Sequence, residues 1–205
     1  MKILLLGDGA HELEGALQQL VLRLFGNAPE IDFVPFRFSD RRVHINSMKG
    51  KRGGMKKRAI RWLLEAKDLE CDAVIGIVDH DGFDDRIQQI HDAQSENGVD
   101  TPRAFGIAIR SFDAWIIADE LALTQASEKT TPQSRSPESL RDPKSDCRKL
   151  MKIADKYERL QDFYAAVATH ARPAVLSDRW ERGFAPFAER VRQLQGALGA
   201  VGDGS

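Results

Sequence analysis

The stretch AVIGIVDHDGFDDR, Ala73 to Arg86, ends an apolar run with Asp79, Asp81, Asp84 and Asp85 in quick succession. Like charges crowded so closely repel one another. One or two of them serve a turn or cap the helix that follows, and the others need a further reason. A divalent cation meets the repulsion directly, because Mg²⁺ takes oxygen ligands and is usually held by one or two carboxylates together with water and substrate phosphate. On an extended segment Asp79 and Asp81 share a face, since alternate side chains point the same way.

A second acidic stretch lies at the start of the chain, in LLLGDGAHE. Gly7-Asp8-Gly9 opens as a dinucleotide-binding fingerprint does, but Glu12 stands where the third glycine belongs. Acids at Asp8 and Glu12 would repel a bare pyrophosphate, which argues against that kind of site. Asp8 reads either as a turn residue or as a site acid. Glu12 reads as an outer site acid or as a solvated residue favoured by the helix dipole. If the strands ending at Asp8 and Asp79 are neighbours, three or more carboxylates converge on one cleft. Such a cluster binds metal for phosphoryl chemistry. Crowding also raises the pKa of one member, fitting it for general acid or base work. Asp113 opens a helix after a later strand and either caps that helix or faces the cleft; Trp115 and Ile116 beside it read as core.

Cations complete the inventory. Lys49, Lys51, Arg52, Lys56, Lys57 and Arg58 crowd a segment that also holds Gly50, Gly53 and Gly54. Glycines let backbone N–H groups approach phosphates and the cations neutralise them. Such a loop positions a nucleic-acid strand without reading its sequence. Lys144 follows Asp142-Pro143, which reads as an N-cap and the first helical residue, and it can reach a phosphate. No two histidines have metal-ligand spacing. His80 is expected to pack or to hydrogen-bond, pointing away from its acidic neighbours.

The elements that must position these groups alternate. Lys2–Leu6 reads as a buried strand, Ala10–Phe25 as a helix, Ile31–Phe38 as a strand and Ala59–Leu69 as a helix. Ala73–Val78 is a near-continuous apolar run, as in a parallel strand covered on both faces. Phe83–Asn97 reads as a helix, Arg103–Ile109 as a strand and Phe112–Leu123 as a helix. This pattern predicts an α/β fold with an open, mostly parallel sheet flanked by helices, with functional groups beyond the carboxyl ends of the strands. We divide the chain into an α/β core at 1–123, a polar connection at 124–146 and a helical C-terminal region at 147–205. That region is expected to pack on the core, with disordered final residues. SDRWERGFAPF, within it, is either a partner-facing surface or the tail docking on the sheet.

Composition bounds the rest. The chain has 205 residues, 42% hydrophobic and 30% charged, with a net charge of −1, so attraction to nucleic acid must come from local patches. Cys71 and Cys147 lie far apart, which gives no zinc motif and no disulfide framework. We expect a cytoplasmic protein with no membrane segment.

Four stretches, LLLGDGAHE, AVIGIVDHDG, IAIRSFDAWIIAD and SLRDPKSDCRKLM, resemble in order the DUF4276 family, a group with a Toprim-like fold and an acidic site like that of OLD-type nucleases. The likeness runs to about Met151. The family has Glu-Gly where this chain has Asp8-Gly9, and Glu where it has Asp113. The resemblance implies a Toprim-like core that binds Mg²⁺ or Mn²⁺ through Asp8, Asp79 and Asp81, with Glu12 and Asp113 as further acids. It implies nuclease activity on DNA or RNA beside an ABC/SMC-like ATPase, in an anti-phage or mobile-element system, and it allows a homo-oligomer. The alternative is a catalytically degenerate binding or regulatory subunit of such an ATPase complex. A receiver places an acid pair at the end of strand one, where this chain has one Asp flanked by glycines, and a HAD-type phosphatase places Asp-x-Asp on strand one, where this chain has it on a later strand.

Overall fold

The computed structural model describes residues 1–7, 9–26, 30–37, 54–129 and 140–202. Four strands form one sheet: β1 (Lys2–Gly7), β2 (Asp32–Arg37), β3 (Ala73–Asp79) and β4 (Arg103–Ala108). Their order is β2-β1-β3-β4 and every pair is parallel. The expected open parallel sheet is therefore present. Pro35, which lacks an N–H, lies in β2 at the edge, where a strand tolerates it. Between β1 and β3 the chain order reverses. That is the topological switch point at which open α/β sheets bind ligands.

The strands divide two apolar clusters by simple alternation. Ile3 and Leu5 of β1 face one cluster, Leu4 and Leu6 the other. On the second side lie α2 (Gly54–Asp68) and α3 (Asp85–Gln94), through Trp62, Leu63, Ile90 and Ala93. The first side holds α1 (Leu17–Phe25), α4 (Phe112–Ile116), α5 (Glu120–Ser127), α6 (Pro143–Ala154), α7 (Leu160–His170), α8 (Pro173–Arg179) and α9 (Phe184–Gly202). The C-terminal helices thus share one core with the sheet. Trp180, Phe184 and Phe187 of SDRWERGFAPF are buried there, which makes that stretch a docking surface for the tail. No helix among the described residues is long and apolar enough to cross a membrane.

Two predicted helices are interrupted. In the first, Gly15 has φ of 122°, a conformation that side chains disfavour. The chain makes a wide kinked turn over Glu12–Ala16 before α1 begins. A Cβ on Gly15 would lie 2.9 Å from Ala165 Cβ of α7, so this turn and α7 meet closely. In the second, the chain breaks after Ile116 and restarts at Glu120, capped by Asp119. The Asp119 carboxylate accepts from the backbone N–H groups of Leu121 (3.1 Å) and Ala122 (3.2 Å) and from Arg172 Nη2 (2.7 Å). The polar connection also shrinks: α5 extends to Ser127 and α6 begins at Pro143, while 130–139 lie outside the described residues.

Burial alone would raise the Asp119 pKa, but the Arg172 guanidinium and the backbone donors outweigh it and hold the carboxyl below its ordinary value. A depressed folded-state pKa stabilises above the unfolded value near 4 and is lost as pH falls through the folded one. Asp119→Ala should cost about 2 kcal/mol at pH 7 through the lost cap and ion pair. In denaturant titrations Asp119→Asn should lose less stability than wild type between about pH 4 and pH 2; equal acid limbs would show that the pair does not carry this dependence.

Candidate functional site

Glu12, Asp79, Asp81 and Asp113 line one cavity of about 690 Å³ at the carboxyl ends of β1 and β3, together with His11, Arg58, Arg86 and Lys144. Four of the acids singled out by sequence thus meet. Asp8 lies outside the described residues; its neighbours Gly7 and Gly9 stand at this same edge.

Asp79 is the last residue of β3. Its Oδ1 accepts from the Phe112 backbone N–H at 2.8 Å, which ties the strand end to the start of α4. Asp81 stands two residues on, with φ of 50°, in the left-handed region that aspartate tolerates better than most. Its Oδ2 accepts from Arg86 Nη1 at 2.7 Å, and the same guanidinium donates to the Asp79 carbonyl and stacks 4.6 Å from the centre of the Phe83 ring. Asp84 and Asp85 fall outside the cavity wall: Asp85 starts α3 and accepts from Gln89 Nε2.

Glu12 is 2% exposed, so the solvated alternative is overturned. The cause is Gly7: a Cβ there would lie 2.5 Å from Glu12 Oε2, so only glycine leaves room for the carboxylate to fold over the end of β1. The Gly9 backbone N–H donates to the same oxygen at 3.3 Å. Gly7-Asp8-Gly9 therefore makes room for an acid, where a dinucleotide fingerprint would make room for a phosphate.

Asp113 is buried and accepts from the Tyr164 hydroxyl on α7 through Oδ1. The Cys147 thiol of α6 lies 3.5 Å from the Asp113 carbonyl as donor. Burial pushes the Tyr164 hydroxyl and the Cys147 thiol far above their ordinary values, so both stay protonated and donate. His11 Nε2 stands 3.8 Å from both Glu12 Oε1 and Asp113 Oδ1, and its ring meets Tyr164 edge to face. Burial lowers the His11 pKa; Asp113 pulls it up, and Lys144 and Arg148 push it down. A neutral imidazole between two carboxylates is suited to accept a proton and to be stabilised when it does.

Of the cations chosen from sequence, Arg58 and Lys144 reach the wall. Lys57 and Arg58 belong to the first turns of α2, which starts within the supposed loop; Lys57 is exposed and outside the wall. Lys49, Lys51, Arg52 and the side chain of Lys56 lie outside the described residues. Asp142 caps α6 as expected, accepting from the Ser145 N–H at 3.0 Å. Sequence reading passed over His11, Arg86 and Tyr164. His11 adjoins Glu12 in the first motif and Arg86 directly follows the aspartate run, which were usable signals; nothing in the sequence links Tyr164 to Asp113.

Among the described residues no group of three His, Cys, Asp or Glu is placed to hold a metal ion. Mg²⁺ asks for less, since one or two carboxylates suffice beside water and phosphate. The donors here are carboxylate oxygens, the kind that Mg²⁺ and Mn²⁺ take. Asp81 Oδ1 and Asp113 Oδ2 have no partner among the described residues, since the bonds made to these carboxylates fall on the other oxygen. By the chemistry of their donors these residues suit such an ion.

Comparison with protein-family models, with curated proteins and with solved structures finds no match for the chain.

Tyr164→Phe leaves a buried carboxylate short of one donor. It should destabilise the protein by about 2 kcal/mol, read as a lower denaturation midpoint with an unchanged denaturant slope. A midpoint equal to wild type would show that Asp113 does not depend on this bond.

Proposed function

We propose that this cavity is the active site of a Mg²⁺- or Mn²⁺-dependent, Toprim-like nuclease that cleaves phosphodiester bonds. The observation that carries the reading is the meeting of Glu12, Asp79, Asp81 and Asp113 with Arg58, Arg86 and Lys144 in one polar cavity at the switch point. Acids alone would suit a structural cation, and cations alone would suit any anion. Together they suit a phosphate that is held while it reacts.

In this reading Asp81, Asp113 and Asp79 are the residues that would hold the ion. The ion, when bound, supplies Lewis-acid stabilisation of the charge that develops on a phosphate. The chain's own residues do the rest. Arg58 and Lys144 stand on opposite elements, α2 and α6, and neutralise the phosphate from two sides. Arg86 fixes the Asp79–Asp81 turn through its two bonds. His11 Nε2 is the atom to receive a proton from an attacking water, and Glu12 Oε1 and Asp113 Oδ1, each 3.8 Å from it, would stabilise the imidazolium so formed. The resemblance in the four quoted stretches adds an ABC/SMC-like ATPase as the partner.

A second reading is a degenerate binding subunit of the same ATPase complex. The Asp81–Arg86 ion pair favours it, because a guanidinium already offsets the charge of that acid.

Asp79→Asn keeps an acceptor for the Phe112 N–H and Asp81→Asn keeps the turn, so both variants should fold. Each should lower Mg²⁺- or Mn²⁺-dependent cleavage of plasmid and single-stranded substrates by at least about 100-fold. Cleavage that survives both changes rules out the assignment. Calorimetry separates the two readings: divalent-ion binding that is lost in Asp81→Asn supports the nuclease, and no binding by wild type supports the degenerate subunit.

A further inference from the structure

The acid-lined cavity does not end at Asp113. A second cavity of about 500 Å³ shares Asp81, Asp113 and Lys144 with it and continues to Arg110 and Arg141. A third, of about 460 Å³, shares Ile109 and Arg110 with the second and continues to Arg179, Trp180 and Arg182. The three recesses follow one another along the carboxyl edge, from β1 and β3 past β4 to the turn between α8 and α9.

Charge is graded along this path. Acids outnumber arginine and lysine at the first recess, whereas Arg110, Arg179 and Arg182 outnumber Asp178 and Glu181 at the third. Arg110 stands where the second and third recesses join, directly beyond β4, with φ of 71°. A non-glycine residue in that region is held there by its surroundings, and such positions cluster at functional sites. On either side of it, Arg141 and Arg182 are exposed and have neither a hydrogen bond nor an ion pair among the described residues. Trp180, 2% exposed, forms part of the wall of the third recess. The guanidinium groups of Arg141 and Arg182, left without a partner among the described residues, are the groups that a phosphate's oxygens would satisfy.

We propose that Arg110, Arg141 and Arg182 form a second phosphodiester-binding subsite, which holds a single polynucleotide strand at phosphates beyond the one that enters the acid-lined cavity. This rests on the nuclease reading and adds to it the form of the substrate. Recesses of this size each take a unit of small-molecule dimensions, which suits one nucleotide of an unpaired strand. The subsite fixes the strand without reading its bases, since phosphate contacts position and base contacts specify.

The test is binding of fluorescent 12-mers, measured by anisotropy in EDTA over a range of salt concentrations, so that it does not depend on cleavage. The probes are single-stranded DNA, single-stranded RNA, a DNA duplex and a dinucleotide too short to span the recesses. The variant is Arg110→Gly with Arg141→Ala and Arg182→Ala. Glycine adopts the left-handed φ at position 110 freely and the other two side chains are exposed, so the fold should persist, as circular dichroism would show. We expect at least tenfold weaker binding of single-stranded 12-mers. The slope of log affinity against log salt should be shallower by about 2, or about 0.7 for each lost contact. Dinucleotide affinity should not change. An unchanged affinity and slope for the 12-mers would overturn the subsite while leaving the cleavage assays on Asp79 and Asp81 to decide the parent reading. A wild-type protein that binds duplex as tightly as single strand would overturn the single-strand assignment. A preference between the DNA and RNA arms would name the source of the phosphodiester.

Discussion

The hydrogen bond from the Tyr164 hydroxyl to Asp113 joins the two halves of this molecule at its site. Asp113 opens the helix that follows β4, and Tyr164 lies in the C-terminal helical half. A buried carboxylate needs donors, because an unpaired charge in a low-dielectric interior is costly. Burial keeps the Tyr164 hydroxyl and the Cys147 thiol protonated, so both serve as lasting donors towards this residue. The same helix α7 packs against the Glu12–Ala16 turn, where Gly15 and Ala165 nearly touch. Two of the four acids in the cavity therefore owe their positions to one C-terminal helix. Asp113 in particular is covered by α6 and α7, through Cys147 and Tyr164.

Legibility in the sequence followed the range of the interactions. The strands were readable because β1 and β3 are covered on both faces and so are apolar throughout, a local property of the chain. Alternation of strands and helices carried the parallel sheet. The meeting of Asp79, Asp81 and Asp113 followed from strand ends sharing one edge. The failures have causes that lie far along the chain. The break between α4 and α5 depends on Asp119 being drawn to Arg172, more than fifty residues away, and a helical spacing across Phe112–Leu123 cannot register that. The burial of Glu12 depends on the space over Gly7, which looked like a turn signal. Lys57 and Arg58 looked like loop residues because Gly53 and Gly54 suggested a break, yet the helix starts at Gly54 and turns the two cations to different sides.

Two of the ion pairs among the described residues show how magnitudes separate structural from functional charge. Asp119 is 1% exposed and is met by the backbone N–H, Nε and Nη2 of Arg172. Opening that pair would strand a buried carboxylate, so it is fixed. Asp81 and Arg86 meet through one bond, with the Asp81 side chain 52% exposed. A pair of that kind contributes about 1 kcal/mol or less, because water screens it and both side chains gain freedom on parting. The Arg86–Asp81 bond can therefore open at little cost, while Phe83 and the Asp79 carbonyl keep the guanidinium in place. The ion pair that favours a degenerate site is thus compatible with the proposed nuclease, in which the guanidinium that offsets Asp81 would also serve the phosphate. The charge gradient supports the same direction of travel. Arginines outnumber acids at the far recess near Arg182 and acids gather at the near one around Asp113, so under the proposed reading a strand lying along the edge would be held by its phosphates next to the carboxylates.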